Sequence, residues 1–401
     1  MTDTKPPRKK ESPPGAPGLD TRAVRGAAEP DYNAGAVVPP IYQTSTFHFP
    51  AELSEARSQG TVHLYTRLGN PTLTQAAQAI ASLEGAEQGR VYASGMGAIS
   101  SVLLSTLRSG DEVVALENLY GNSVTFLRDV LPRWGIRVRW VPEEESSEVA
   151  RSVTDRTKLL FLESPTNPTL RVHDLSAWAK AAEDAGAFLL VDNTFATPVN
   201  QNPLALGAHV VMHSATKYLS GHSDLIAGAL VGKAEVLAQT ANLSETLGAT
   251  LDPMAAFLLL RGMKTLGVRV RQHNHNAEAV VEEFSSHPKI TNVLYPGRFS
   301  EKEEELARRQ MRGRGGMVSL VVKGGLPAAH RFLANLRVIH PASSLGGVES
   351  LASLPAETSH RQLSAEERAR RGIDDGMIRL SIGIEDAADL VADIRHALDQ
   401  S

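Results

Sequence analysis

Apolar residues along this chain change their spacing several times, and each change marks an element. From Leu73 to Gly85, in LTQAAQAIASLEG, they recur at helical intervals and stop at a glycine, which predicts a helix with its terminator. A second helix is predicted over Met96–Leu107, after a Ser-Gly turn, and Gly110-Asp111 then leads into the apolar run Val113–Leu116. The alternation continues. Arg137–Val141, Leu159–Leu162, Phe188–Val191 and Val210–Met212 read as strands, and amphipathic stretches separate them, among them the alanine-rich Val172–Ala185 with Trp178. Helices between buried strands predict a mostly parallel α/β sheet covered on both faces. In such a sheet, function is expected in the crevice at the C-terminal ends of the strands.

After about Arg269 the texture shifts. A helix over Asn274–Ser285 leads to Val293-Leu294-Tyr295-Pro296-Gly297, and a charged helix carrying Glu301–Glu305 follows. Two more strand-like runs, Met317–Val322 and Met377–Ile384, precede a final helix from about Ala387. This pattern predicts a first domain over 69–269 and a smaller α+β domain over 270–401. The proline- and charge-rich residues 1–18 read as a disordered leader, not as a secretory signal, because no apolar stretch follows the basic residues.

Composition narrows the chemistry. With 401 residues, 42% of them hydrophobic and 21% charged, the chain suits a large globular protein with a sizeable core. It has no cysteine, which excludes disulfides, cysteine-ligated metals and a cysteine nucleophile. A net charge of −4 gives no footprint for nucleic acid or anionic membrane. No run approaches the roughly 18 apolar residues of a membrane span. A cytoplasmic protein is expected.

The most informative segment is HSATKYLSGHSD, His213–Asp224, where Lys217 directly follows a buried strand and is flanked by Ser214 and Thr216. A lysine that forms a Schiff base needs a desolvated setting in which its neutral amine is accessible. Upstream, Asp192 ends the apolar run Phe188–Val191. A carboxylate there can cap a helix, ligate a metal or face a protonated ring nitrogen, and pyridoxal phosphate requires the last. Ser94-Gly95-Met96-Gly97 opens a helix, where backbone N–H groups and the dipole favour a phosphate. Tyr120 follows a strand and could stack on a flat ring. His273 and His275 face different sides of a helix and do not read as a metal site. His222 and Asp224 lack the nucleophile elbow of a hydrolase.

The ordered series YTRLGNPT, ASGMGA, LYGN, ESPTNPT, VDNTFATP, HSATKYLSGHSD, LLLRGMKTL, SLGGVESLASLPAETSH and IRLSIGIED resembles the cystathionine γ-synthase family of pyridoxal-phosphate enzymes over nearly the whole chain, from Val37 to Asp386. The resemblance implies the type I fold of pyridoxal-phosphate transferases. It implies Lys217 as Schiff-base lysine and proton shuttle, Asp192 as pyridinium partner, and Gly95, Met96, Ser214 and Thr216 as phosphate ligands, with Thr194 also at the cofactor. Tyr120 would stack on the ring, and Asn167 would lie beside the cofactor's phenolic oxygen and the substrate. Arg379 would clamp the substrate carboxylate, with Ser344 lining the same pocket. Tyr65 and Arg67, on an arm over 19–68, would reach the neighbouring subunit's phosphate in a homotetramer of two site-sharing dimers.

The family's reactions share one catalytic set. Loss of the α-proton, then of a β-proton, permits departure of a γ-substituent. Water then releases 2-oxobutanoate and ammonia, or a thiol adds at Cγ; expulsion from Cβ gives pyruvate instead. Two positions depart from the family's patterns. Asn122 stands where methionine γ-lyases carry cysteine and most other members glycine, and Ser343 stands where cystathionine enzymes often carry glutamate. Thr358–Ile373 is similar to the lyases. The expected activity is α,γ-elimination of the cystathionine γ-lyase type, with γ-replacement or methionine γ-lyase activity as alternatives.

Overall fold

A computed structural model describes residues 17–26, 36–48, 52 and 62–401. The expected leader lies almost wholly outside the described residues, and the 19–68 arm lies partly so.

Seven strands form the larger sheet: β1 (Gln88–Tyr92), β2 (Glu112–Leu116), β3 (Arg137–Val141), β4 (Thr157–Glu163), β5 (Phe188–Asp192), β6 (Val210–His213) and β7 (Gly228–Gly232). Their spatial order is β1-β7-β6-β5-β4-β2-β3. The run β6-β5-β4-β2-β3 is parallel, while β7 runs antiparallel to both its neighbours. Every residue of β2, β6 and β7 is buried, as expected for strands covered on both faces. The sequence reading missed β1 and β7. Their glycines carry no hydrophobic signal, yet Gly228 has to be glycine: a Cβ there would lie 2.1 Å from the Ser94 carbonyl oxygen.

The helices start where local chemistry permits. In α1 (Pro71–Glu84), the Asn70 side chain accepts from the Thr72 amide at 2.9 Å, Pro71 fills the first turn, and Gly85 ends the helix in the left-handed region. In α2 (Gly95–Thr106), Ser94 Oγ accepts from the Gly97 amide at 3.0 Å. Asp174 caps α3 (Leu175–Asp184), and Trp178 on that helix is fully buried, its indole N–H donating to the Ser146 carbonyl at 3.1 Å.

The second sheet comprises β8 (Ile290–Leu294), β9 (Met317–Val322), β10 (His340–Pro341), β11 (Leu351–Ser353) and β12 (Met377–Ser381), in the order β10-β11-β12-β9-β8. Only β10 and β11 pair in parallel. Helix α4 (Leu266–Phe284) is longer than the expected Asn274–Ser285 and carries the 269/270 position within it. Its Leu266 and Val270 join the core of the larger sheet, and its Ala277, Val280, Val281 and Phe284 join the second core. One helix serving two cores shifts its apolar stripe midway, which hid its first turns from a single-period reading.

Trp178→Ala removes a fully buried indole and its hydrogen bonds, so a loss of about 3–5 kcal/mol is expected, read as a lower urea midpoint.

Candidate active site

The parallel strands deliver a row of charged residues to their C-terminal ends. Glu163 and Asp192, the last residues of β4 and β5, are partners in register. Asp192 is buried and accepts from both the amide, at 2.9 Å, and the hydroxyl of Thr194. The same hydroxyl accepts from the Ser214 amide at 2.9 Å, so Thr194 ties the end of β5 to the loop after β6. Burial raises the Asp192 carboxyl despite these bonds. Glu163 accepts from the Tyr120 amide at 3.0 Å; burial, and then the Asp192 charge, push its carboxyl well above the ordinary range.

Lys217 stands in the turn after β6, and its Nζ donates to Ser344 Oγ at 2.8 Å. Burial, with the nearby Arg379 cation, pulls its amine down to about 8. Ser344 has a φ of +99°, a conformation that costs a non-glycine residue about 1–3 kcal/mol. Gly346 lets this loop lie on the lysine turn, since a Cβ there would sit 2.7 Å from the Tyr218 amide nitrogen at a φ of +75°.

Arg379 comes from β12 in the second sheet and is buried. Its Nη1 donates to Asn167 Oδ1 at 2.9 Å and its Nη2 to the Ser344 carbonyl at 3.2 Å. Its Nε has no partner and, among the described residues, no carboxylate pairs with it. Burial lowers it to about 10.

These groups fit pyridoxal phosphate and an amino acid. The first amides of α2, at Gly95 and Met96, have no intrahelical acceptor and open beside Ser214; a Cβ on Gly95 would come within 3.2 Å of Ser214 Oγ. The buried Asp192 suits a protonated ring nitrogen, and the unpartnered Arg379 Nε suits a carboxylate. Thr216 Oγ1 donates to the Ala227 carbonyl at 3.1 Å and faces the same cavity. Tyr120, 39% exposed, accepts at its hydroxyl from Asn122 Nδ2 at 3.2 Å.

Gly95, Met96, Tyr120, Asn167, Asp192, Thr194, Ser214, Thr216, Lys217, Ser344 and Arg379 therefore line one cavity of about 750 Å³. Tyr65 and Arg67 do not line it. Arg67 stacks over the Tyr65 ring at 5.6 Å and donates to the Glu245 carbonyl at 2.7 Å, beside a separate cavity. Sequence reasoning missed Glu163, although it carries the signal that singled out Asp192: an acid closing an apolar strand. It also missed Ile226, Glu357, Arg361 and Gln362, which line the cavity from loops without a pattern. Among the described residues, no group of three or more His, Cys, Asp or Glu could hold a metal ion, and no helix is long and apolar enough to cross a membrane.

A lysine amine, a strand-end carboxylate and a helix-start anion cradle beside the C-terminal ends of β5 and β6, met by a buried arginine from β12, define an aldehyde-cofactor enzyme acting on amino acids. A profile for Cys/Met metabolism PLP-dependent enzymes matches residues 20–399. The chain is 43% identical over 390 residues to L-methionine gamma-lyase of Pseudomonas putida, covering 96% of this chain and 98% of that one. It is 41% identical over 386 residues to cystathionine gamma-lyase of Dictyostelium discoideum, covering 95% and 98%. The solved cystathionine gamma synthase of Xanthomonas oryzae pv. oryzae, in complex with aminoacrylate and cysteine, superposes with a TM-score of 0.89 at 39% identity, covering 96% and 98%. The chain belongs to the Cys/Met metabolism PLP-dependent enzyme family. It is a pyridoxal-phosphate enzyme of the γ-lyase and γ-synthase kind.

Loading of the cofactor on Lys217 would require its neutral amine. The loading rate in apoenzyme should rise with pH through a midpoint near pH 8 and level off above it, a midpoint well below that of an ordinary lysine. In Arg379→Gln the midpoint should move upward, because the repelling cation is gone; stopped-flow absorbance reads both.

Proposed function

We propose that this enzyme catalyses α,γ-elimination of the cystathionine γ-lyase type, releasing cysteine, 2-oxobutanoate and ammonia from cystathionine. The observation that carries this reading is the convergence of Lys217, Ser344 and Arg379 on one cavity roomy enough for a substrate with an amino-acid group at each end. Pyridoxal phosphate supplies an electrophilic carbon for the substrate amine and an electron sink for its α-carbon. Asp192 would hold the proton on the ring nitrogen, while Gly95, Met96, Ser214 and Thr216 would anchor the phosphate. Thr194 sets the distance between these two ends through its bonds to Asp192 and Ser214.

Arg379 takes the substrate carboxylate in a bidentate pair, a geometry lysine cannot offer. Its existing bonds to Asn167 and the Ser344 carbonyl fix the guanidinium plane. Lys217 Nζ, its basicity lowered by burial and by the Arg379 charge, accepts the proton from Cα and can return one to the leaving chain. Tyr120, which lines the cavity, would lie against the ring and would assist transfer of the substrate amine. Tyr65 and Arg67 serve the partner's phosphate, which makes the working assembly a tetramer of two site-sharing dimers, placed in the cytoplasm. The arm 19–68, the domain 69–269 and the domain 270–401 are the units of this assembly.

The relatives named as methionine γ-lyases favour a second reading, elimination of methanethiol from methionine by the same residues. The γ-synthase likeness favours a third, addition of a thiol at Cγ.

Holoenzyme given L-cystathionine should yield 2-oxobutanoate and cysteine. Pyruvate and homocysteine would instead mark a β-lyase, and activity confined to O-acylhomoserines with cysteine or sulfide would mark γ-replacement. Lys217→Ala should lose turnover by several orders of magnitude while still binding the cofactor. Arg379→Ala should chiefly raise KM for amino-acid substrates, and an unchanged KM would place the carboxylate elsewhere.

A further inference from the structure

We infer that Arg361 reads the far end of the substrate's γ-substituent, and that the preferred substituent carries a carboxylate. This inference rests on the reading of the cavity as a site for amino acids with a departing γ-group, and it specifies that group.

The charged side chains of the cavity fall into two sets. Glu163, Asp192 and Arg379 are buried, with Lys217 half-buried among them; Glu357 and Arg361 are exposed at the rim. An amino acid whose carboxylate lies on Arg379 and whose Cα faces Lys217 extends its side chain away from this buried end. It then meets the exposed rim, formed by Asn122, Ser343, Glu357, Arg361 and Gln362.

The rim is not electrically neutral in what it offers. Glu357 is already engaged, accepting from His330 Nε2 at 3.0 Å. Ser343, Asn122 and Gln362 are uncharged. Arg361 makes no hydrogen bond or ion pair with any described residue, so the rim presents a guanidinium without an internal partner. An alkyl thioether gains nothing from it, and an ammonium with no carboxylate beside it is repelled by it. A carboxylate can take its two parallel N–H donors.

The turn that bears Arg361 is also held in place. A Cβ on Gly121 would lie 2.3 Å from the Ser359 carbonyl and 2.4 Å from Gln362 Nε2, so this turn is packed against the backbone beside Tyr120. The backbone that carries Arg361 is thereby held beside Tyr120 and the cavity both residues line. Two compounds share the required chemistry: a thioether whose far end is a second amino acid, as in cystathionine, and an ester whose far end is a free carboxylate, as in O-succinylhomoserine.

The test compares holoenzyme with Arg361→Gln and Arg361→Lys on L-cystathionine, O-succinyl-L-homoserine, O-acetyl-L-homoserine and L-methionine. Initial rates of 2-oxobutanoate release are the readout, and ligand Kd is measured separately from the change in visible absorbance. Arg361→Gln should raise KM and Kd for the carboxylate-tailed compounds on the order of tenfold, with kcat little changed. It should leave the acetyl ester and methionine within about twofold, and Arg361→Lys should recover part of the loss. A loss confined to cystathionine identifies the thioether as the source, and one confined to the succinyl compound identifies the ester. Equal losses on all four compounds, or none on any, would overturn the inference. If wild-type enzyme releases no 2-oxobutanoate from any of them, the elimination reading fails, and the Kd comparison still decides the role of Arg361.

Discussion

A guanidinium withdrawn from water without a carboxylate to meet it is the constraint on which this structure turns. Removing an ion from water costs several kcal/mol even after relaxation, and Arg379 has only the Asn167 amide oxygen and the Ser344 carbonyl in return. Those partners come from both halves of the molecule. Asn167 follows β4 of the parallel sheet, while Arg379 and Ser344 belong to the C-terminal part of the chain. The cavity therefore exists only when the two cores are docked, and α4, which contributes side chains to both, makes that docking part of one fold. Arg269 on the same helix adds a tie, donating to the Tyr218 carbonyl at 2.9 Å just beyond the lysine.

Much of this was legible in the residues. Buried apolar runs between amphipathic stretches disclosed the parallel part of the large sheet, and Asp192 at the end of β5 and Lys217 just after β6, both singled out from the residues, face one cavity. What escaped had physical reasons. β7 is GALVG, whose identity is set by how closely its backbone passes Ser94, and no hydrophobic period records that. α4 divides its apolar face between two cores. Glu163 was legible by the rule applied to Asp192, and its pairing in register with Asp192 shows why two acids at neighbouring strand ends cannot ionise independently. Arg361 lies in a turn whose position depends on packing against Gly121, a contact between segments far apart in the chain.

The division of labour between the halves follows from the same geometry. The buried polar groups of the cavity lie on or just beyond the rigid strands and at the start of α2. Its exposed groups lie largely on turns of the C-terminal part, around Ser343 and Thr358–Gln362. Hydrogen bonds from Asp192 through Thr194 to Ser214 place the first set with little freedom, whereas rim side chains can change without disturbing a strand.

The nearness of Arg379 to Lys217 carries a further consequence for timing. The arginine's field is one of the two influences that hold the lysine amine down to about 8. An amino acid that brings its carboxylate to Arg379 cancels part of that field, and the proton affinity of Nζ climbs. Nζ is thus less basic while no carboxylate lies on Arg379, and becomes more basic once a substrate with a Cα proton has arrived. One positive charge acts first as a brake on the base and then, when neutralised by the molecule to be transformed, as its release.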